Sequence, residues 1–169
     1  MLTAIADLQA ARKIEPTDTT ANRILIQLTG QRAAIESQQG RNQLAIQYVK
    51  QAISDARAYA KLNVAGATPY RFEAQMYQMG AGLTKSRNEL DQAANAYISA
   101  IEHSPYSLKD YLKLADIYWQ QGEYQKASLI YKKALKISED FYLDPGKQLL
   151  PEEKSLAIQR IEKAASPKP

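Results

Sequence analysis

Apolar residues recur every three or four positions along most of the chain. The spacing is clearest at Ala93, Tyr97, Ala100 and Ile101, and it is the period of an amphipathic helix, not the alternation of a strand. Glycine and proline interrupt this pattern at regular places and separate segments of about 15 to 20 residues. The sequence therefore predicts an all-α chain without strands.

The helical segments repeat along the chain. Aligning Ala93 with Ala127 places Tyr97 on Tyr131, at an offset of 34 residues. Further pairs have the same offset: Tyr77 and Tyr111, Thr84 and Tyr118, Leu90 and Tyr124, Ala100 and Ala134. A fixed period of this length indicates a helical repeat array, because one hairpin cannot bury its own apolar face.

The residue types at these positions resemble the tetratricopeptide repeat (TPR) family. Segment 108–141 carries the likeness best. Tyr111, Leu114, Ala115 and Tyr118 match the first helix of the repeat. The turn is matched by Gly122, Glu123 and Tyr124, and the second helix by Ala127, Tyr131 and Ala134. Segment 74–107 keeps the second helix and closes with Pro105, but it has Gly80 and Ala81 for Leu-Gly, and Asn88 in place of the turn glycine. The resemblance implies a right-handed α-solenoid of antiparallel helical hairpins.

The same likeness predicts that residues 1–169 form a single TPR array. Residues 1–18 should be the second helix of an incomplete repeat, because Ala4, Leu8, Ala11 and Pro16 have the spacing of Ala93, Tyr97, Ala100 and Pro105. Residues 19–68 should be an enlarged TPR-like hairpin that turns at Gly40, its first helix about seven residues, nearly two turns, too long. Two TPRs follow, at 74–107 and 108–141.

A capping helix is predicted at 150–165. It begins with Pro151, Glu152 and Glu153, residue types that favour the first turn of a helix. Its apolar stripe consists of Leu156, Ala157, Ile161 and Ala164, and Lys154, Gln159, Arg160 and Lys163 should face water. Solenoids need such a cap to cover their last apolar face. The Ser-Pro-Lys-Pro end should be frayed.

The resemblance also implies that ligands contact the concave face, which the first helices line. We expect the partner-binding residues to be Gln75, Gln78, Lys85, Lys109, Leu112, Asp116, Trp119 and Gln120. Trp119 is the strongest candidate, because tryptophan often anchors an interface, although the family often has an aromatic residue there for packing. Lys85, Lys109 and Lys113 would attract an acidic peptide, although charged helix faces are often only solvated. The carboxylate clamp of some TPR proteins is not expected, because Asp116 would repel a carboxylate.

Composition and charge narrow the classes of partner. The chain is 45% hydrophobic and 24% charged, as in folded soluble proteins. Its net charge is +4, but basic and acidic residues are interspersed, so no nucleic-acid partner is expected. No apolar run is long enough for a membrane span and the N-terminus does not resemble a signal peptide, so this segment should not insert into a membrane. The absence of cysteine leaves the compartment open.

Candidate catalytic chemistry is sparse. His103 is the only histidine and lies in a hairpin-closing segment, where a solvated or turn-bound imidazole is expected. Adjacent carboxylates such as Glu139 and Asp140 point to different helix faces, and neither they nor Glu152 and Glu153 have a partner at metal-ligand spacing. No nucleotide-binding or nucleophile motif is present. We therefore expect a protein that is not an enzyme, with no cofactor and no metal site.

The leading hypothesis is a scaffold or adaptor that binds a peptide or partner protein in the concave face. An alternative is the soluble TPR tail of a longer bacterial membrane protein, such as an O-antigen-ligase-like glycan polymerase, because the sequence opens within a repeat. Self-association through the exposed ends of the array is a third possibility. The gene upstream of Met1 and a mass measurement in solution would separate these hypotheses.

Overall fold

The computed structural model describes residues 1–166, and the regular elements in that range are all helical. The predicted all-α class is confirmed. The last three residues of the end expected to fray lie outside the described residues. A short 3-10 turn occupies Pro145–Lys147, and the α-helices are α1 (Leu2–Ile14), α2 (Thr19–Gln38), α3 (Asn42–Leu62), α4 (Thr68–Thr84), α5 (Arg87–His103), α6 (Leu108–Gln120), α7 (Tyr124–Asp140) and α8 (Pro151–Ala165).

The packing divides the chain into two compact units. The first, Met1–His103, contains α1 to α5, and the second begins at Ser104 and contains α6 to α8. Within each unit, helices that follow one another in sequence pack side by side, from α1 to α5 in the first and from α6 to α8 in the second. This is the arrangement of stacked helical hairpins, in which each hairpin buries the apolar face of its neighbour.

The core of the first unit lies where α2, α3 and α4 meet. Ile26 and Ala33 of α2 pack there with Val49 and Ala52 of α3 and with Met76 of α4. Gly30 lets α2 and α4 approach each other closely, because a Cβ added at this position would lie 2.9 Å from Met76 Cε. The small side chains thus let the helices pack closely.

Two turns share one geometry. At Gly40 and Gly122 the backbone is left-handed, with φ of 75° and 77°. Arg41 N donates to Glu36 O and Glu123 N donates to Tyr118 O, each at 2.9 Å. These are Schellman motifs, in which glycine supplies the left-handed residue that ends a helix.

The turn between α4 and α5 differs from the sequence prediction. Asn88, aligned with the turn glycine, lies inside α5, which begins at Arg87. The left-handed residue is instead Lys85, with φ of 57°, and its N–H donates to Ala81 O at 2.9 Å. The repeat offset fails here because α5 starts three residues earlier than the offset from Tyr124 of α7 predicts.

In the second unit, α8 packs on α7. Ala127 and Tyr131 of α7 are buried with Ala115 of α6 and Ala157 of α8. The expectation that Arg160 faces water is wrong. Its guanidinium pairs with Asp116 of α6 and contacts the Tyr131 hydroxyl, because a long side chain on this face of α8 can reach across the hairpin to a carboxylate.

Candidate partner-binding site

The candidate site of the second unit is built on α6. This helix has Asp110 in its first turn, where a carboxylate interacts favourably with the helix dipole. The helix ends at the Gly122 turn. Leu114 and Ile117 face the core. Lys109 and Lys113, four residues apart and therefore neighbours on the helix surface, remain exposed.

A groove of about 310 Å³ runs between α6 and α8. It brings together three of the predicted site residues, Lys109, Leu112 and Asp116. The remaining lining comes from Lys113, Tyr131, Glu153 and Leu156. Apolar surface from Leu112, Leu156 and the Tyr131 ring therefore lies between charged groups.

Two lysines dominate the charge of this groove. Within residues 1–166, neither Lys109 nor Lys113 has an ion-pair partner. Asp116 is neutralised by Arg160, and its Oδ1 also accepts a 2.6 Å hydrogen bond from the Tyr131 hydroxyl. Burial raises the pKa of Tyr131, and the bond to Asp116 raises it further, so this hydroxyl stays protonated and keeps donating.

Glu153 contributes the groove's other carboxylate. Its Oε2 accepts a 3.0 Å hydrogen bond from Leu150 N, so the side chain caps the start of α8. Leu156, one turn further along α8, is 42% exposed. The α8 wall therefore offers an accessible apolar side chain beside a carboxylate that already has a structural role.

Trp119 lies outside this groove. Its ring meets Tyr124 edge to face, with centroids 4.7 Å apart, and the Arg160 guanidinium lies 5.3 Å from its centroid. Trp119 also lines a separate cleft of about 720 Å³ with Tyr124, Lys126 and Lys163. The indole thus packs against both α7 and α8.

The remaining predicted residues are dispersed. Gln120 is exposed at the end of α6. Gln75, Gln78 and Lys85 belong to the first unit, where Gln75 is exposed and Gln78 Oε1 accepts a 3.2 Å hydrogen bond from the Tyr97 hydroxyl. Lys85 is the left-handed turn residue described above, not a helical one.

His103 has a structural setting in the first unit. Its ring stacks on Tyr70 with centroids 4.7 Å apart. Its Nδ1 lies 2.8 Å from Ser99 O, and because a carbonyl can only accept, Nδ1 donates this bond. The imidazole is therefore tied to its own helix.

Sequence reasoning missed the α8 wall of the groove. The sequence predicts only that the capping helix covers an apolar face, and this prediction does not single out Glu153 or Leu156 as ligand contacts. Leu156 was a usable signal for this wall. Together with Ile161 it makes the apolar stripe of α8 wider than the contact of Ala157 and Ala164 with the hairpin requires. Arg160 could not be identified, because its partner Asp116 lies 44 residues away in sequence.

Residues 111–141 match the family model of the tetratricopeptide repeat. This segment of the chain is a tetratricopeptide repeat. The match covers the repeat with the Gly122 turn, the segment in which the 34-residue pattern is most complete. A search of curated proteins found no match.

Solved structures show the same fold for most of the chain. Two crystal structures of MamA, each 20% identical, superpose on 95% of this chain with TM-scores of 0.57 and 0.54 and cover 78% and 84% of the MamA chains. A human IFIT1 dimer with PPP-AAAA is 16% identical, with a TM-score of 0.50 over 95% of this chain and 43% of that one. The chain therefore has the fold of a helical-hairpin solenoid, as predicted.

The TPR fold supports a general role as a protein-interaction scaffold, and it is typically a non-enzymatic fold. It therefore suggests protein partners. Among the helices of residues 1–166, none combines the length and apolar character needed to cross a membrane.

Proposed function

We propose that this TPR chain is an interaction module that holds a segment of a partner protein in the groove between α6 and α8. The segment would present a carboxylate beside an apolar side chain. The observation that carries the proposal is the pair of lysines, Lys109 and Lys113, which lack ion-pair partners within residues 1–166 and stand beside the apolar surface of Leu112 and Leu156.

The chemistry of the groove fits such a ligand. An apolar side chain would remove water from Leu112 and Leu156, and burial of this kind is worth about 25 cal/mol per Å². A carboxylate would meet the two ammonium groups at the rim, where opposite charge accelerates association and selects the partner. Arg160 has already neutralised Asp116, so this carboxylate does not oppose the ligand.

The test is a peptide selection on the purified chain. A displayed library of random twelve-residue peptides should yield sequences that combine acidic and apolar residues, and their affinity should fall roughly tenfold with Lys113→Glu. Lys132→Glu is the matched control, because Lys132 is also an exposed helical lysine without an ion-pair partner in the described chain.

The result has clear alternatives. If the selected peptides bind the Lys113→Glu variant as tightly as the unchanged chain, the binding site is not the α6–α8 groove. Equal losses for Lys113→Glu and Lys132→Glu would indicate a general effect of net charge. Thermal melts of both variants should match that of the unchanged chain, because both substitutions are on the surface.

A further inference from the structure

The first unit contains a larger groove that the family resemblance does not predict. Its walls are α3 and α5, the second helices of successive hairpins, and its volume is about 850 Å³. Tyr77 of α4, a helix that packs against both walls, also lines it. The predicted ligand surface lies on first helices, so this groove is a separate feature.

The α3 wall is basic. Lys50, Ser54, Arg57 and Lys61 line the groove, and their spacing of four, three and four places them on one helix face. Lys50 and Lys61 are exposed and have no ion-pair partner within residues 1–166. At about 1.5 Å per residue they lie roughly 16 Å apart along the helix, the length of about five residues of extended chain.

Arg57 lies between the two lysines and is held in place. Its Nε donates to Glu73 Oε1 at 2.7 Å, and its Nη2 donates to the Tyr77 hydroxyl at 2.6 Å. Glu73 therefore balances the charge of Arg57. The two lysines remain as the cations available to a ligand.

The α5 wall is suited to a peptide backbone. Asn88 and Gln92 line it, and each carboxamide can donate to a carbonyl and accept from an N–H. Residues four apart on a helix are about 5 to 6 Å apart, close to the roughly 6.6 Å that separates every second residue of an extended chain. Glu89, between them, has its carboxylate engaged by the Thr84 hydroxyl at 2.6 Å.

Apolar surface lies between the two walls. Ala58 of α3 is exposed there, and Leu62 at the end of α3 is 45% exposed, whereas Ile53, which also lines the groove, is buried. An extended chain directs alternate side chains to opposite sides. Apolar side chains of such a segment can therefore face Ala58 and Leu62 while the residues between them face the lysines.

We propose that the α3–α5 groove binds an extended segment of a partner protein in which apolar and acidic residues alternate. The carboxylates meet Lys50 and Lys61, the apolar side chains cover Ala58 and Leu62, and Asn88 and Gln92 bond to the backbone. Two available ammonium groups against one engaged carboxylate, Glu89, make the groove complementary to an acidic ligand. This site lies in the first unit and does not depend on the α6–α8 groove.

Fluorescence anisotropy tests the proposal with the full chain. The probe is a fluorescein-labelled decapeptide of alternating glutamate and leucine, and its counterpart with lysine for glutamate is the charge control. We expect only the acidic peptide to bind. Lys61→Glu and Lys50→Glu should each lower the affinity for this peptide roughly tenfold. Added salt should weaken it in the unchanged chain, because the lysines are exposed to solvent.

Lys13→Glu is the matched control. Lys13 and Lys61 are both exposed residues in the last turn of a helix, so both reversals remove the same favourable interaction with the helix dipole. Lys13→Glu should bind as the unchanged chain does. Lys50→Glu, in the middle of α3, keeps the test valid if the change at Lys61 unfolds the helix end.

Several results would overturn the proposal. They are absence of binding by the acidic peptide, equal binding by the lysine peptide, unchanged binding after both reversals, or an equal loss with Lys13→Glu. A loss caused by Lys113→Glu alone would locate the peptide in the α6–α8 groove. A chain that dimerises without peptide, and becomes monomeric with Lys61→Glu in light scattering, would make a second copy the occupant.

Discussion

The Tyr131 hydroxyl of α7 donates a 2.6 Å hydrogen bond to Asp116 Oδ1 on α6. This bond connects a core tyrosine to a residue predicted to contact ligands. Arg160 of α8 pairs with the same carboxylate. The groove between α6 and α8 consequently depends on Arg160 both for its geometry and for the neutralisation of Asp116.

Asp116 and Arg160 should be coupled in stability. In a double-mutant cycle with Asp116→Asn and Arg160→Gln, urea unfolding should give a coupling energy of about 1 kcal/mol, as expected for a charged hydrogen bond that solvent partly screens. Arg160→Gln should also weaken the binding of acidic peptides in the groove, since it leaves the charge of Asp116 without a partner. Additive effects within about 0.3 kcal/mol would show that the two residues act independently.

Ala127→Leu should destabilise the second unit by about 1 to 3 kcal/mol, because overpacking a full core forces neighbours to move. Ala127 is fully buried against Ala115, Tyr131 and Ala157. Leu129→Ala is the control on the same helix, since Leu129 is 60% exposed and should change stability by less than about 0.5 kcal/mol. A melt of Ala127→Leu that equals that of the control would contradict this packing.

At the two left-handed turn residues Gly122 and Lys85 we expect substitutions to change stability in opposite directions. Gly122→Ala should cost about 1 kcal/mol, because a Cβ is strained at positive φ even where space is open. Lys85→Gly should instead stabilise the first unit by about 0.5 kcal/mol, since the relief of strain exceeds the entropy that glycine adds to the unfolded chain. Thermal melts decide both signs, and a less stable Lys85→Gly chain would mean that Lys85 is not strained.

These turns show what the sequence could predict. Gly40 and Gly122 mark their turns correctly, because glycine readily adopts positive φ. Lysine carries no such signal, so the repeat offset predicts this turn at Asn88, whereas the left-handed residue is Lys85. The seven extra residues expected in the enlarged hairpin correspond to the 20 residues of α2 against 13 in α6, since the spacing of punctuating residues fixes helix length.

The candidate site was less predictable than the fold. Lys109, Leu112 and Asp116 follow from the repeat register, because the resemblance implies ligand contacts at fixed positions of a first helix and the register fixes those positions on α6. Leu156 and Glu153 depend on how α8 docks, and Lys50 and Lys61 depend on the gap between α3 and α5. Such grooves arise from packing between helices distant in sequence, which a periodic pattern on one helix does not encode.

Glu36 should make stability depend on pH. It is fully buried between Arg32 and Arg41, and the hydrogen bond from Arg41, helped by the charge of Arg32, holds the pKa of Glu36 below its ordinary 4.5. The unfolded chain therefore binds this proton more readily, so the stabilisation is complete above about pH 4.5 and is lost as pH falls through the lower pKa of the folded state.

We expect Glu36→Gln to melt at a lower temperature than the unchanged chain at pH 7, and the difference to shrink below pH 4.5. Glu102→Gln is the control, because Glu102 is exposed. Its melting temperature should follow that of the unchanged chain at every pH. A difference for Glu36→Gln that stays constant from pH 7 to pH 3 would show that the folded state does not favour the ionised carboxylate.

Trp119 allows packing and binding to be separated. Because its ring contacts Tyr124 and lies beneath Arg160, Trp119→Ala should cost about 2 to 3 kcal/mol, somewhat less than the loss of a fully buried tryptophan. Trp119→Phe keeps an aromatic ring against Tyr124 and should lose only about 1 kcal/mol. Urea unfolding of the two variants measures both losses.

Binding should respond differently from stability at this residue. Trp119 lies outside the α6–α8 groove, so a folded Trp119→Phe chain should retain the affinity of the selected peptides, whereas Lys113→Glu should lose affinity without losing stability. Trp119 is the only tryptophan, so its emission independently reports where a ligand lies, and a peptide in the groove should change that emission little. If Trp119→Ala melts like the unchanged chain but no longer binds, Trp119 is an interface anchor and the ligand occupies the cleft beside Tyr124 and Lys163.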